Sequence, residues 1–360
     1  MRSKSTKAVA LLAVAIVMLA GAAAFLAARG GGGDGSLYEV VDYAGNRIKL
    51  EEAPKRIVTL DAKMTEMVCE LGLTSNVVGV TSDDGVHDVS DFIYGLDFDI
   101  GYPTQLKEQI RSGKTALIGG VTNWTTDQVI KADPDLVVFE NSANNLNKMK
   151  MLQDMGITCL VASNTYDRVG VIYDNMELLG KALGRSDRAK MFNDGMAEAV
   201  EYIYGRCKGF EGRDVVMISA PGGTLYAYGS SNLKHVVLRS LGCTTRMAGD
   251  ATGIVTVENV LEYQPDVIIL DPMGKTTDMS ALKRQFESDP LWADVKALRG
   301  GEIYYLEYAP FQATGYTTHH FVHGIALMAA IVFDELGVDV PQLVEGEKYL
   351  GYVSWINRRD

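Results

Sequence analysis

Cysteine is scarce in this chain: four residues, Cys69, Cys159, Cys207 and Cys243, in a length of 360. None stands in a Cys-x-x-Cys spacing, which excludes a zinc ribbon or a thioredoxin-type redox motif. Cys69 and Cys159 fall in apolar runs and read as packed thiols. A disulfide among the four stays open for a chain in an oxidising compartment. Basic charge is also short, because 34 Lys and Arg face 46 Asp and Glu for a net charge of -12. No basic stripe offsets that balance, so a nucleic-acid partner is excluded. The acidity serves solubility or a basic protein partner. Missing too are a Gly-x-Ser-x-Gly elbow, a Ser/His/Asp order and a His-Glu-x-x-His helix. Gly113-Lys114-Thr115 and Gly274-Lys275-Thr276 look like the end of a phosphate loop. Glu108 and Ile269 stand where its first glycine is required, so nucleotide binding is not expected.

One long apolar run is present. Arg2, Lys4 and Lys7 precede residues 8–28, which form a basic n-region and an h-region. Residues 1–29 therefore read as a signal peptide, cleavable near residues 22–24, or as a retained membrane anchor of roughly 20 residues. No Cys follows that would carry a bacterial lipid. Residues 30–36 are a Gly-rich tether. Either reading puts the folded part outside the cytoplasm, at the cell surface or in the periplasm.

The rest of the chain is organised around a stretch that occurs twice. Residues 125–140, TTDQVIKADPDLVVFE, align without a gap on residues 256–271, TVENVLEYQPDVIILD. Each copy predicts a short helix with an acidic first turn, a Pro-Asp corner and a strand buried on both faces. Thr125 with Gln128 fits a capping box, and Thr256 holds the same place in the second copy. Proline biases the residue before it towards extended backbone, and the Pro-Asp carboxylates read as turn or capping groups. A single repeat at long spacing predicts two similar α/β lobes with Rossmann-like parallel sheets. The expected organisation is an N-terminal lobe over 37–165, a helical connector over 166–211, a C-terminal lobe over 212–336 and an extension over 337–360. Within the connector, a helix from Ser186 or Asp187 to about Cys207 carries Ala189, Phe192, Met196, Val200, Ile203 and Tyr204 at helical spacing. The acidic stretch over 81–120 reads as a long functional loop or one holding short unrecognised elements.

Open parallel sheets bind ligands outside the carboxyl ends of their strands. That rule nominates Asp61, Lys63, Asp83, Asp84, Glu140 and Asn141 in the first lobe. In the second it nominates Tyr226, Tyr228, Met273, Tyr308 and Phe311. Alternation assigns one of each adjacent tyrosine pair, such as Tyr304 and Tyr305, to the core. His319, His320 and His323 cluster at the start of the last helix, with His320 and His323 able to share a face as metal ligands. Asp127 and Glu258 occupy one place in the two copies. The helix macrodipole alone favours an acid there, but its recurrence points to use.

The chain resembles a known family. Arg56-Ile57-Val58-Thr59-Leu60 with Thr65-Glu66 and Leu71-Gly72, then Val77-Val78-Gly79-Val80, carry the likeness. So do residues 127–138, 152–157, 255–269 and 289–306. In that order they resemble the class III solute-binding proteins of ABC importers, which handle iron-siderophore, haem and cobalamin. The resemblance implies two α/β lobes joined by one long helix, a ligand cleft between them, no catalysis and no cofactor. The ligand would be a metal chelate or tetrapyrrole-like compound, and the chain a monomer. The partner would be a permease dimer with its ATPase, contacted by one acid per lobe, here Asp127 and Glu258. Two departures bear on the ligand. Asp83-Asp84 stands where the family's cobalamin binders carry aromatics, and few arginines stand at the predicted strand ends. Two other classes stay open: a chelatase-like enzyme or metallochaperone using the histidine cluster, and a surface adhesion or sensor domain.

Overall fold

The computed structural model describes residues 38–82, 103–120, 122–165, 168–209, 211–230, 232–245, 249, 252–272, 278–306, 321–333 and 356–357. The expected hairpin opens the chain, with β1 (Tyr38–Val41) antiparallel to β2 (Arg47–Leu50). The first sheet contains β3 (Ile57–Thr59), β4 (Val77–Ser82), β5 (Ala116–Gly120), β6 (Leu136–Glu140) and β7 (Thr158–Ala162). Its order is β5-β4-β3-β6-β7, and every pairing is parallel. Helices α1 (Ala62–Val68), α2 (Thr104–Arg111), α3 (Thr126–Lys131) and α4 (Ala143–Asp154) connect these strands. Part of the acidic stretch thus holds a helix and an edge strand, while residues 83–102 lie outside the described residues.

Helices α5 (Gly170–Ala182) and α6 (Ser186–Cys207) lead to the second sheet. Its strands are β8 (Val215–Ser219), β9 (Tyr226–Ala227), β10 (Gly253–Ile254), β11 (Val267–Leu270), β12 (Ile303–Leu306) and β13 (Ile356–Asn357). Between them come α7 (Leu233–Ser240), α8 (Val257–Tyr263), α9 (Met279–Ser288), α10 (Lys296–Arg299) and α11 (Phe321–Val332). The centre of this sheet is parallel, as expected. Only β8, β11 and β12 run parallel, and β9, β10 and β13 pair antiparallel at the flanks. Short strands such as β9 and β10 are joined by connections that periodicity does not reveal.

Alternation along the strands sorts the core into three bodies. Ile57, Val138, Met217 and Ile269 face a large shared core that also takes in α1, α5, α6, α7 and α11. Val58, Val137, Phe139 and Val161 face the opposite way, under α3 and α4. Ile218, Ile268, Leu270 and Tyr305 do the same in the second lobe, under α8 and α9. Tyr304 and Tyr305 are therefore both buried, on opposite faces of β12, because both faces are covered. The expectation that one of the pair would be exposed is corrected by the same fact.

The connector helix α6 has 22 residues, a rod of about 33 Å. Ala189, Phe192, Met196, Ala199 and Ile203 line its buried stripe. Gly180 lets α5 approach, since a Cβ there would fall 2.3 Å from that of Ala189. All four cysteines are buried free thiols. Burial pushes the Cys69 and Cys159 thiols up to about 12.

The duplication extends to hydrogen bonds. Asp135 accepts from the amides of Lys55 and Arg56 at the entry to β3, at 2.8 and 3.1 Å. Asp266 accepts from the amide of Asp214 at the entry to β8, at 2.8 Å. Both Pro-Asp carboxylates thus staple one strand to the start of the next. The residues before the prolines, Asp133 and Gln264, are left-handed with φ 51° and 52°. This corrects the extended backbone expected there: the helix must stop and reverse within one residue, and a left-handed residue does that. Asp135→Ala should cost of order 1 kcal/mol, the loss of charge-assisted bonds at an exposed site. Urea midpoints measure it, and an unchanged midpoint would reduce the staple to decoration.

Candidate functional site

In the first lobe, β3 and β6 are neighbours whose carboxyl ends bring three nominated residues together. Asp61 follows β3 and caps α1, accepting from the Lys63 amide at 2.8 Å. Lys63 turns its ammonium to Glu140, the last residue of β6, with Nζ 2.6 Å from Oε1 and 3.8 Å from Asp61 Oδ2. All three are buried. Burial first, then Asp61, pushes the Glu140 carboxyl up to about 7, with Lys63 pulling it back. Asn141 donates its amide to Ala162 O, tying the end of β6 to that of β7. Asp83 and Asp84 lie outside the described residues.

A matching cluster occupies the second lobe. Tyr228, just after β9, donates its hydroxyl to Asp271 Oδ1 at 3.1 Å. The Lys234 ammonium stands 4.7 Å from the centre of the Tyr228 ring. Asn232 caps α7 and accepts from the Lys234 amide at 3.0 Å. Burial pushes Asp271 up to about 7, against Lys234 and Tyr228. Burial also lowers Lys234 to about 8, with Asp271 opposing, and burial with Arg239 lowers its neighbour His235 to about 4. Tyr226 is half-buried on β9. Met273, Tyr308, Phe311, His319 and His320 fall outside the described residues, as does the side chain of His323. Lys234, His235 and Asp271 had not been nominated. The signal was available, because Asp271 is the repeat partner of Glu140 and Asn232-x-Lys234 echoes Asp61-x-Lys63.

These buried groups set a pH dependence. Glu140 and Asp271 hold protons in the fold up to about 7, whereas unfolded they release them near 4.5 and 3.8. Their contribution to stability is complete below those unfolded values and is lost as pH rises through about 7. His235 acts oppositely, costing stability as pH falls from 6.5 towards about 4. Glu140→Gln with Asp271→Asn should flatten the decline in urea midpoint between about pH 5 and 7.5. An unaltered slope would show that the two carboxyls do not set it.

Asp127 and Glu258 sit on α3 and α8, in the first helical turn. Both capping boxes form as expected, through Thr125 with Gln128 and Thr256 with Asn259. Both acids are exposed. A hydrogen bond with Thr256 lowers the Glu258 carboxyl below its ordinary value. Each helix buries one valine, Val129 or Val260, on the sheet face away from the shared core. Because α3 and α8 each run back along the sheet before entering β6 and β11, their N-termini lie at the carboxyl edge of the strands. That is the edge carrying the two charged clusters. Trp124 anchors the start of α3: it is fully buried and stacked on Phe139 at 6.4 Å. Its indole Nε1 donates to Asn145 Oδ1 at 3.2 Å, and Lys148 donates to its carbonyl at 2.6 Å.

Residues 57–309 match the family model of periplasmic binding proteins. The chain belongs to this family. Among curated relatives it is 27% identical over 272 residues to the uncharacterized ABC transporter substrate-binding lipoprotein YvrC of Bacillus subtilis, covering 73% of this chain and 76% of that one. It is 22% identical to the petrobactin-binding protein YclQ of the same organism, over 75% of this chain and 80% of that one. A solved possible iron-binding periplasmic solute-binding protein from Staphylococcus epidermidis superposes with a TM-score of 0.63 at 20% identity, over 78% of this chain and all of that one. Its fold is the two-lobed α/β architecture described above. No helix among the described residues is long and apolar enough to cross a membrane; the apolar N-terminal run lies outside them.

Proposed function

We propose that this protein is the extracytoplasmic solute-binding component of an ABC importer, taking up an iron complex (ferric siderophore or haem) or a corrinoid. It captures the complex between its lobes and delivers it to a permease dimer driven by an ATPase. It catalyses no reaction, acts as a monomer and holds no resident cofactor. The observation that carries this reading is the pair of charged clusters past the carboxyl ends of corresponding strands in the two lobes of a periplasmic-binding-protein fold. Asp61, Lys63, Glu140, Tyr226 and Tyr228 contribute to the cleft on this reading. Relatives named for petrobactin and iron support the solute class. Asp127 and Glu258 dock on the permease: two separated anionic points on one rigid body fix its orientation on a two-fold partner.

The test is a thermal-shift screen of ferric siderophores, haem and cobalamins. A complex present at 100 times its dissociation constant stabilises the fold by about 2.7 kcal/mol. A shift with one of them is the expected result. Absence of any shift across the three classes would overturn the solute assignment.

A further inference from the structure

The two lobes repeat more than a helix and a strand. Lys63 is the second residue of α1 and Lys234 the second of α7. Each follows a capping side chain, Asp61 or Asn232, that accepts from its amide. Glu140 and Asp271 hold the last place of the two repeats. Each lobe therefore buries a lysine and a strand-end carboxyl: Lys63, 7% exposed, pairs with Glu140, 8% exposed, while Lys234, 5% exposed, lies over the Tyr228 ring whose hydroxyl donates to Asp271, 1% exposed. Burial penalises every one of these charges, and well-packed apolar residues would serve stability as well. Asp271 Oδ2 accepts no hydrogen bond among the described residues. A costly arrangement built twice, at the edge where such sheets take ligands, points to use.

We propose that Lys63 and Lys234 are paired cationic contacts, one per lobe, for a metal chelate that carries carboxylate groups. The proposal rests on the binding-protein reading above and names its solute class. Ligand oxygens replace Glu140 as the partner of the Lys63 ammonium and engage the Lys234 ammonium beside the Tyr228 ring. Above about pH 7, where the Glu140 carboxyl is ionised, the displaced carboxylate is left in a site too buried to hold its charge alone and takes one proton from solvent. No bond between heavy atoms changes, and the balance is one proton taken up at Glu140. Other charged or titratable groups act on these residues: Asp61 on Lys63 and Glu140 in the first lobe, and in the second Tyr228 on Asp271 and His235 beside Lys234.

Four probes test this: haem, its dimethyl ester, ferric citrate and ferrioxamine B. They separate carboxylate-bearing from carboxylate-free complexes. Calorimetric titration at about pH 6 and about pH 8, in buffers of different ionisation enthalpy, reads affinity and protons exchanged. The expected result is that haem or ferric citrate binds, about tenfold more tightly at the lower pH, with net proton uptake at about pH 8. Its carboxylate-free counterpart should bind on the order of a hundredfold more weakly. Lys63→Gln and Lys234→Gln should each lose about tenfold for the carboxylate probe. Glu140→Gln, which keeps its size but has no carboxylate to protonate, should lower the proton count and flatten the pH dependence of affinity. Equal or tighter binding of the carboxylate-free probes, no binding of either carboxylate probe, or unchanged affinity in both lysine variants would overturn the proposal. Failure here leaves the import reading standing, because stimulation of the permease tests that separately.

Discussion

Reversing both exposed acids, Asp127→Arg with Glu258→Arg, stops uptake by cells while cargo affinity stays unchanged. The two side chains lie in the first turns of α3 and α8 and reach solvent. Neither takes part in the clusters around Lys63 or Lys234. Each replacement sets a cation against a helix N-terminus, a small cost at an exposed, solvent-screened position that leaves the fold intact. At the permease the loss is larger. An attraction worth about 1–4 kcal/mol per contact at 4 Å becomes a repulsion of similar size, and it does so at both ends of the docking surface. Single reversals should weaken uptake and the double reversal should abolish it. Radiolabelled-iron uptake and equilibrium titration check the two halves of the prediction. Normal uptake by the double variant would remove both residues from docking.

Trp124→Ala should destabilise the protein by about 3–5 kcal/mol, the range for truncating a fully buried large aromatic. The loss has three physical parts. The indole fills the core under α3 and α4 and stacks on Phe139. Its Nε1 satisfies Asn145 Oδ1, whose own Nδ2 donates to Glu140 O at 3.0 Å. Its ring also lies 4.3 Å from the Lys148 ammonium. One residue further on is Thr125, the cap of the helix that carries Asp127. The variant should thus lose rigidity at the docking acid and at the end of β6 together. Urea unfolding with an unchanged slope and a lowered midpoint would show it. A cost below about 1 kcal/mol would mean the core closes over the gap.

Legibility in the sequence followed the range of the interactions involved. The repeat was readable because local rules fix it: a capping Thr, an acid in the first turn and a proline that stops the helix. The stripe of α6 was readable because Ala189, Phe192, Met196 and Ile203 recur at the helical period. Strand direction in the second sheet was not, since β9 and β10 pair through two residues each and carry no period. The left-handed Asp133 and Gln264 ran against the usual bias before proline, because the chain must turn there to seat the Pro-Asp staple. Of the candidate site, Asp61, Lys63 and Glu140 were reached by the strand-end rule alone. Lys234 escaped it because α7 follows the short antiparallel β9 and not a parallel strand, and Asp271, one residue past β11, was passed over for the aromatics of that lobe. Only comparison of the two lobes makes them stand out.

The most direct measurement of the central claim is ATP hydrolysis by the cognate permease and ATPase reconstituted in vesicles, with this protein added at saturation. Addition of the cargo-loaded chain should raise the rate well above its basal level, and the Asp127→Arg/Glu258→Arg variant should leave it basal. A chain that binds its iron complex yet never alters hydrolysis would contradict the account.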